Sequence, residues 1–214
     1  MKKILIFLLA LMLIPIPYVK AENINLAEGA KSAIMLEVST GEIVFEKNIH
    51  EKLVPASMTK IMSMLLVVES IEKGIISWDE MVTVSENASG MGGSQILLST
   101  GEKMSVKDLF KGVAIASGND AIVALAEKIA GTEEVFVGMM NERAKELGLK
   151  DTNFKNAHGL DAANHYSSAY DMAMMAKELV KHEEVLKYTS IYEDYLRIDT
   201  DEKVWLVNTN KVVC

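Results

Sequence analysis

The order of sequence patterns along this chain of 214 residues predicts an α+β fold. Alternating apolar and polar residues, which are typical of strands, occur near both ends, at 33–46 and at 195–207. Helical periodicity with capping signals fills the region between them. Strands that are segregated from helices favour an α+β arrangement with an antiparallel sheet over alternating βαβ units.

A β-hairpin is the first element predicted, with strands at 33–38 and 43–46. A long helix is expected next, between Pro55 and Gly74, because glycine commonly ends a helix. Apolar residues recur at helical spacing from 61 to 68. This helix should therefore be mostly buried.

The middle of the chain is predicted to be helical after a short strand at 81–84. Ser105 and Asp108 have the spacing of a capping box, in which the first side chain accepts a hydrogen bond from a free backbone N–H of the first turn. Thr132 is a second candidate cap. The three helices expected here span 105–116, about 120–130, and 132 to about 148.

Helix and strand signals follow one another in the last part of the chain. Ser168 and Asp171 form another capping box, which begins a helix ending near Lys181. Strands are expected at 195–198 and 204–207. With the N-terminal hairpin these strands should form an antiparallel sheet that is incomplete within this sequence.

The first residues have the pattern of a secretory signal peptide. Two lysines precede an apolar run at 4–14. Val19 and Ala21 are the small or branched residues that a signal peptidase accepts before a cleavage site after Ala21. The run is about half of the roughly 20 residues that a membrane-spanning helix needs. We expect a signal peptide at 1–21, a mature chain at 22–214, and an extracytoplasmic location in the cell wall or at the outer face of the cytoplasmic membrane.

Composition excludes several classes of function. The net charge is −8, and loss of residues 1–21 would remove three lysines and make it −11, so nucleic acid is not expected as a partner. Cys214 is the only cysteine, so neither an internal disulfide nor a zinc–cysteine site is expected. Half of the residues are apolar, enough for one globular domain, and Met58, Met62 and Met64 are expected to fill its core.

Ser57 and Lys60, at the start of the long helix, have the spacing of a nucleophile and its base. Residues three apart share a helical face, so the lysine amine can take the proton of the serine hydroxyl during attack on a carbonyl. The helix N-terminus also supplies free N–H groups for a developing oxyanion. Ser70 and Lys73 repeat the spacing, but they lie at the helix C-terminus, where carbonyls would oppose an oxyanion.

A second pattern, Ser117-Gly118-Asn119, lies between two predicted helices. The Ser117 hydroxyl could relay a proton to a leaving amine, and the Asn119 amide could hold a substrate carbonyl and the Lys60 amine. Segment 85–87 also fits Ser-x-Asn, but it closes the short strand and is interpreted as a turn.

His158, Asp161 and His165 form a third candidate group, with the ligand types of a zinc peptidase. Their spacing arises easily by chance, and no His-Glu-x-x-His helix accompanies them. A structural role in a loop is favoured over a metal site, and sensitivity to EDTA would separate the two hypotheses.

Together these residues resemble the low-molecular-mass penicillin-binding proteins that are serine-type D-alanyl-D-alanine carboxypeptidases, the S11-like peptidases. The resemblance covers residues 27–210. It rests on segments 55–60, 93–94, 116–121, 147–154, 158–161 and 166–173 in that order.

The resemblance implies the penicillin-binding, β-lactamase-like transpeptidase fold and an acyl-enzyme on Ser57. It also implies Lys60 as the proton acceptor, Ser117 as the second active-site residue and Asn119 as a substrate contact. The substrate would be the peptidoglycan stem peptide ending in D-Ala-D-Ala, with β-lactam antibiotics acylating the same serine. No metal or organic cofactor is implied.

One departure from the family pattern affects the expected activity. The third motif, Lys-Thr-Gly, would follow the segment 206–210 but is absent from the sequence, as is the C-terminal domain that often anchors such proteins to the membrane. These 214 residues are therefore expected to be a poor catalyst, and an inactive relative or a peptide-binding fragment is the alternative. A class A β-lactamase is disfavoured because Gly118 stands where Asp is usual and no Glu-x-x-Leu-Asn loop is present.

Overall fold

A computed structural model of the protein describes residues 26–213. The predicted signal peptide at 1–21 lies outside the described residues. The described residues fall into two units, 26–30 and 31–213. The described end of the first unit, 26–30, forms a turn closed by a hydrogen bond from Ala30 N to Ala27 O.

The second unit begins with the expected hairpin of strands β1 (Ala33–Leu36) and β2 (Ile43–Lys47). The strands pair antiparallel from Ala33↔Lys47 to Leu36↔Ile43, with an irregularity after Met35. The Glu37 carboxylate closes the turn by accepting hydrogen bonds from the N–H and hydroxyl groups of Ser39 and Thr40. These bonds lower the pKa of Glu37 to about 2.

The predicted long helix begins with a 3₁₀ turn, Ala56–Thr59, and continues as helix α1 (Lys60–Glu72). Gly74 has φ +71° just beyond its end, which only glycine adopts readily. The helix is mostly buried, as predicted. Met62 is fully buried, but Met58 is exposed because the 3₁₀ turn directs it away from the core, so its assignment to the core was wrong.

The middle of the chain has the predicted strand and three helices, together with a second strand, and a one-turn helix where a turn was expected. Strand β3 (Met81–Thr83) pairs antiparallel with strand β4 (Lys103–Ser105). Ser105 and Thr132 act as N-caps, accepting hydrogen bonds from Asp108 N and Val135 N respectively. The helices are α2 (Glu86–Ser89), α3 (Val106–Ala116), α4 (Asn119–Ala130) and α5 (Glu133–Glu146).

Two helices and a hairpin complete the described chain. Ser168 caps α6 (Ala169–Leu179) through Asp171 N, as the capping box predicts. A seven-residue helix, α7 (Glu183–Thr189), was not predicted because its short apolar pattern gives little periodicity. Strands β5 (Glu193–Leu196) and β6 (Val204–Val207) pair antiparallel, with β5 starting two residues earlier than expected.

The observed architecture is the predicted α+β class, with its core between the helices. The described strands form three separate two-stranded ladders instead of one continuous sheet. Buried side chains of α1, α3, α4 and α5 make one apolar cluster. Within the described part of the chain, no helix is both long and apolar enough to cross a bilayer.

Candidate active site

Ser57 lies on the 3₁₀ turn at the entrance to α1. The turn is tight, with a hydrogen bond from Met58 N to Pro55 O, and Ala56 has the left-handed backbone value φ +47°. Ser57 is exposed, although Thr59 and Lys60 beside it are buried. The local backbone therefore presents the hydroxyl to solvent at the positive end of a buried helix.

Lys60 is buried at the start of α1 and directs its amine to Ser57. Its Nζ lies 3.4 Å from Ser57 Oγ and donates a hydrogen bond of 2.7 Å to the backbone oxygen of His158. Lys60 is only 2% exposed. Burial lowers the pKa of Lys60 to about 8, partly opposed by the negative charge of Asp120.

Asp120 is a buried carboxylate that sequence reasoning did not select. It accepts hydrogen bonds from the backbone N–H groups of Ile96, Leu98 and Ala121. These bonds fix the segment between β3 and β4 against the start of α4. The negative charge of Asp120 also favours the protonated form of Lys60. The adjacency of Asp120 to the Ser-x-Asn pattern was the available signal.

Ser117 and Asn119 occupy the junction between α3 and α4. Ser117 ends α3 in a left-handed conformation, φ +58°, and is half-buried. Asn119 is buried at the first position of α4, its Nδ2 donates to Gly92 O at 2.7 Å, and its N donates to Ser94 O. Within the described residues its Oδ1 is buried without a hydrogen-bond partner, so it can accept from an incoming group.

One cavity brings together Ser57 and Asn119. Its volume is about 370 Å³, and segment 158–161 completes its lining with Ala56. Lys60 reaches the cavity through its contact with Ser57. The structure therefore brings together Ser57, Lys60 and Asn119, three of the four predicted site residues. The fourth is Ser117, and within residues 26–213 no hydrogen bond joins its hydroxyl to Ser57 or Lys60.

The histidines of the third sequence pattern have protein partners. His158 Nδ1 accepts from Leu160 N, and its Nε2 is 3.5 Å from Glu133 Oε1. Burial, Lys60 and His165 lower the pKa of His158 to about 4. No group of three or more His, Cys, Asp or Glu residues within 26–213 is arranged to hold a metal ion.

The two competing serine patterns have other roles in the structure. Ser70 is buried near the end of α1 and donates to Leu66 O at 2.7 Å. Ser85 accepts from Ala88 N as the cap of the one-turn helix α2 and donates to the Glu127 carboxylate. Neither hydroxyl has a neighbouring lysine amine within hydrogen-bond distance in the described region.

Residues 19–214 match the D-alanyl-D-alanine carboxypeptidase family, peptidase S11. The chain belongs to this family. The carboxypeptidase DacF of Bacillus subtilis is 59% identical over 189 residues, which are 88% of this chain and 49% of that relative. The chain thus spans about half the length of this curated relative.

Solved structures agree with the family. Penicillin-binding protein 6B from Escherichia coli is 36% identical with a TM-score of 0.80, over 86% of this chain and 59% of that one. Penicillin-binding protein D2 from Listeria monocytogenes, solved in an ampicillin-bound form, is 30% identical with a TM-score of 0.75, over 88% and 76% of the two chains. The penicillin-binding fold expected from the sequence is confirmed.

Proposed function

We propose that this chain carries the nucleophilic half of a serine-type D-alanyl-D-alanine carboxypeptidase site. The observation that carries the proposal is the buried Lys60 amine, 3.4 Å from the exposed Ser57 hydroxyl, with a pKa lowered to about 8. At pH 7 about a tenth of such lysines are neutral, compared with less than a thousandth at the ordinary lysine value. Burial thus supplies a usable general base.

The proposed reaction begins with attack of Ser57 Oγ on the carbonyl of the D-Ala-D-Ala peptide bond. A neutral Lys60 amine keeps its N–H donation to His158 O, which leaves its lone pair free to take the hydroxyl proton. Backbone N–H groups at the start of the helix stabilise the oxyanion of the tetrahedral intermediate. The C–N bond then breaks, and the proton that Lys60 took from Ser57 passes through the Ser117 hydroxyl to the leaving amine of D-alanine.

Water then attacks the Ser57 ester and releases the shortened peptide, returning the proton to the serine. The unpaired Oδ1 of Asn119 supports its assignment as a substrate contact, because a backbone N–H of the stem peptide can donate to it. In the structure the Asn119 Nδ2 is engaged with Gly92 O. A substrate carbonyl would need to displace that bond to reach the amide N–H.

The proposal also covers the location, the substrate and the inhibitors that the sequence leads us to expect. Residues 1–21 act as a signal peptide, and 22–214 are a portion of the catalytic domain that works outside the cytoplasm on peptidoglycan stem peptides. β-Lactams are proposed as acylating inhibitors because they present a strained amide to the same hydroxyl. Ampicillin is bound in the Listeria monocytogenes relative.

Intact mass spectrometry after incubation with penicillin tests the assignment. A single covalent adduct is expected on the protein, and it should be absent from Ser57→Ala. Ser70→Ala is the matched control, because Ser70 is buried and bonded to Leu66 O, and it should label as fully as the natural protein. An adduct that persists in Ser57→Ala, or that maps to Ser70, would contradict the proposal.

A further inference from the structure

The backbone that carries Ser57 is attached at both ends to one segment, His165–Ser167. On one side Leu53 and Ser167 exchange two backbone hydrogen bonds, of 2.8 and 2.9 Å. On the other side the Thr59 hydroxyl lies 2.8 Å from His165 Nε2. The nucleophile lies between these two attachments. We call segment 165–167 with its hydrogen bonds to Leu53 and Thr59 the brace.

The braced turn has a strained backbone. Ala56 has φ +47°, which non-glycine residues adopt only where the surroundings impose it. Gly159 packs directly against this residue, since a Cβ there would lie 1.9 Å from Ala56 O and 3.0 Å from Thr59 Oγ1. Contacts on both sides of the turn therefore maintain its shape.

The contacts of His165 determine which ring nitrogen carries its proton. The Lys155 N–H donates to His165 Nδ1 at 3.0 Å, so Nδ1 holds a lone pair in this arrangement. The proton of the neutral ring is then on Nε2 and is donated to the Thr59 hydroxyl. His165 is buried, so water does not replace either bond readily.

We propose that His165 is a positioning residue, which as the neutral Nε2–H tautomer holds Thr59 and thereby sets the distance between the Ser57 hydroxyl and the Lys60 amine. Thr59 adjoins Lys60 and closes the turn that presents Ser57, so a displacement of Thr59 changes both ends of that contact. The inference rests on the proposed function, because it concerns how efficiently the same serine is acylated.

Protonation should release the brace. A proton on Nδ1 would point at the Lys155 N–H, and two donors cannot share a hydrogen bond. Burial lowers the pKa of His165, and Asp161 opposes this shift. The other ionisable groups of this cluster are Lys60 with the nearby Asp120, and His158, whose own pKa is about 4, with Glu133 at 3.5 Å.

The test uses the protein at the full length that its gene encodes and the rate of Ser57 acylation by a fluorescent penicillin. His165→Leu keeps a side chain of similar size but removes both hydrogen bonds, and we expect a loss of about 10- to 100-fold through misplacement of the nucleophile. His165→Gln retains a donor and an acceptor and should stay within about threefold of the natural rate. His182→Gln is the matched control, because His182 pairs with Glu72 near the far end of α1.

A pH profile separates positioning from a general loss of folding. Below the pKa of His165, the acylation rate of the natural protein should fall with two protons, one on Lys60 and one on His165, so the slope of log rate against pH approaches about two. The slope of His165→Gln should remain near one over the same range, because glutamine does not titrate. This comparison decides the matter even if His165→Leu does not fold.

Acylation of His165→Leu at the natural rate, or the same steepening in His165→Gln, would overturn the positioning role while leaving the proposed function intact. A natural protein that is not labelled at Ser57 would contradict the proposed function, and the inference would fail with it.

Discussion

The central helices and the two hairpins place their apolar side chains differently. Helix α1 buries nine of its 13 residues and α4 buries eight of its 12. In the hairpins, by contrast, Val44 on β2 is 64% exposed and Trp205 on β6 is 59% exposed. The site is built in the region where apolar packing is dense, and this is why a lysine there can lose its charge near neutral pH.

The largest expected difference between the two regions is in stability. Phe110 on α3 is fully buried between Trp78 and Tyr188, so Phe110→Ala should lower the free energy of unfolding by about 3–5 kcal/mol. Trp205→Ala removes a larger but mostly exposed ring, its cross-strand contact with Tyr195 and its bond to Glu193, and should lower it by only about 1 kcal/mol. Urea denaturation followed by circular dichroism measures both. Similar losses for the two variants would mean that the hairpin face is packed in solution.

A smaller effect of opposite sign is expected at Lys60. Its pKa is lowered from 10.5 to about 8, so burying its charge at pH 7 opposes folding by about 3 kcal/mol. Lys60→Met removes that penalty but leaves His158 O without its donor, which costs about 1–2 kcal/mol. The net expectation is a gain of about 1–2 kcal/mol at pH 7, together with loss of acylation.

The sign of the Lys60 effect should depend on pH. The unfolded state binds more protons than the folded state between about pH 8 and 10.5, so the natural protein gains stability as pH rises through that window. The advantage of Lys60→Met should therefore disappear by about pH 10. A constant difference between the two proteins from pH 7 to pH 10 would contradict the lowered pKa.

Local signals in the sequence were sufficient for most of the helical region. The caps Ser105, Thr132 and Ser168 act over three residues, and each one forms the hydrogen bond that its pattern predicts. The spacing of Ser57 and Lys60 also follows from the geometry of one helical turn. These features depend on residues close together in the sequence.

Features that depend on distant residues could not be predicted in the same way. The contact of Lys60 with His158 O joins residues 98 apart, and that of Thr59 with His165 joins residues 106 apart. The first contact has no sequence pattern because a backbone oxygen accepts regardless of its side chain, and the second joins two side chains that only the fold brings together. Strand β6 lies where it was predicted, but β5 begins two residues earlier, because its first residues, Glu193 and Asp194, are charged and carry no apolar alternation.

The dependence of Ser57 acylation on pH tests the central claim most directly. If a buried, neutral Lys60 is the base, the acylation rate by penicillin should rise about eightfold between about pH 6.5 and 7.5 and level off above the Lys60 pKa of about 8. The measurement is stopped-flow or gel-based labelling at a fixed penicillin concentration, normalised to folded protein at each pH. A rate that is unchanged from pH 6.5 to 9, or that keeps rising to pH 10.5, would show that Lys60 does not act as a base with a pKa lowered by burial.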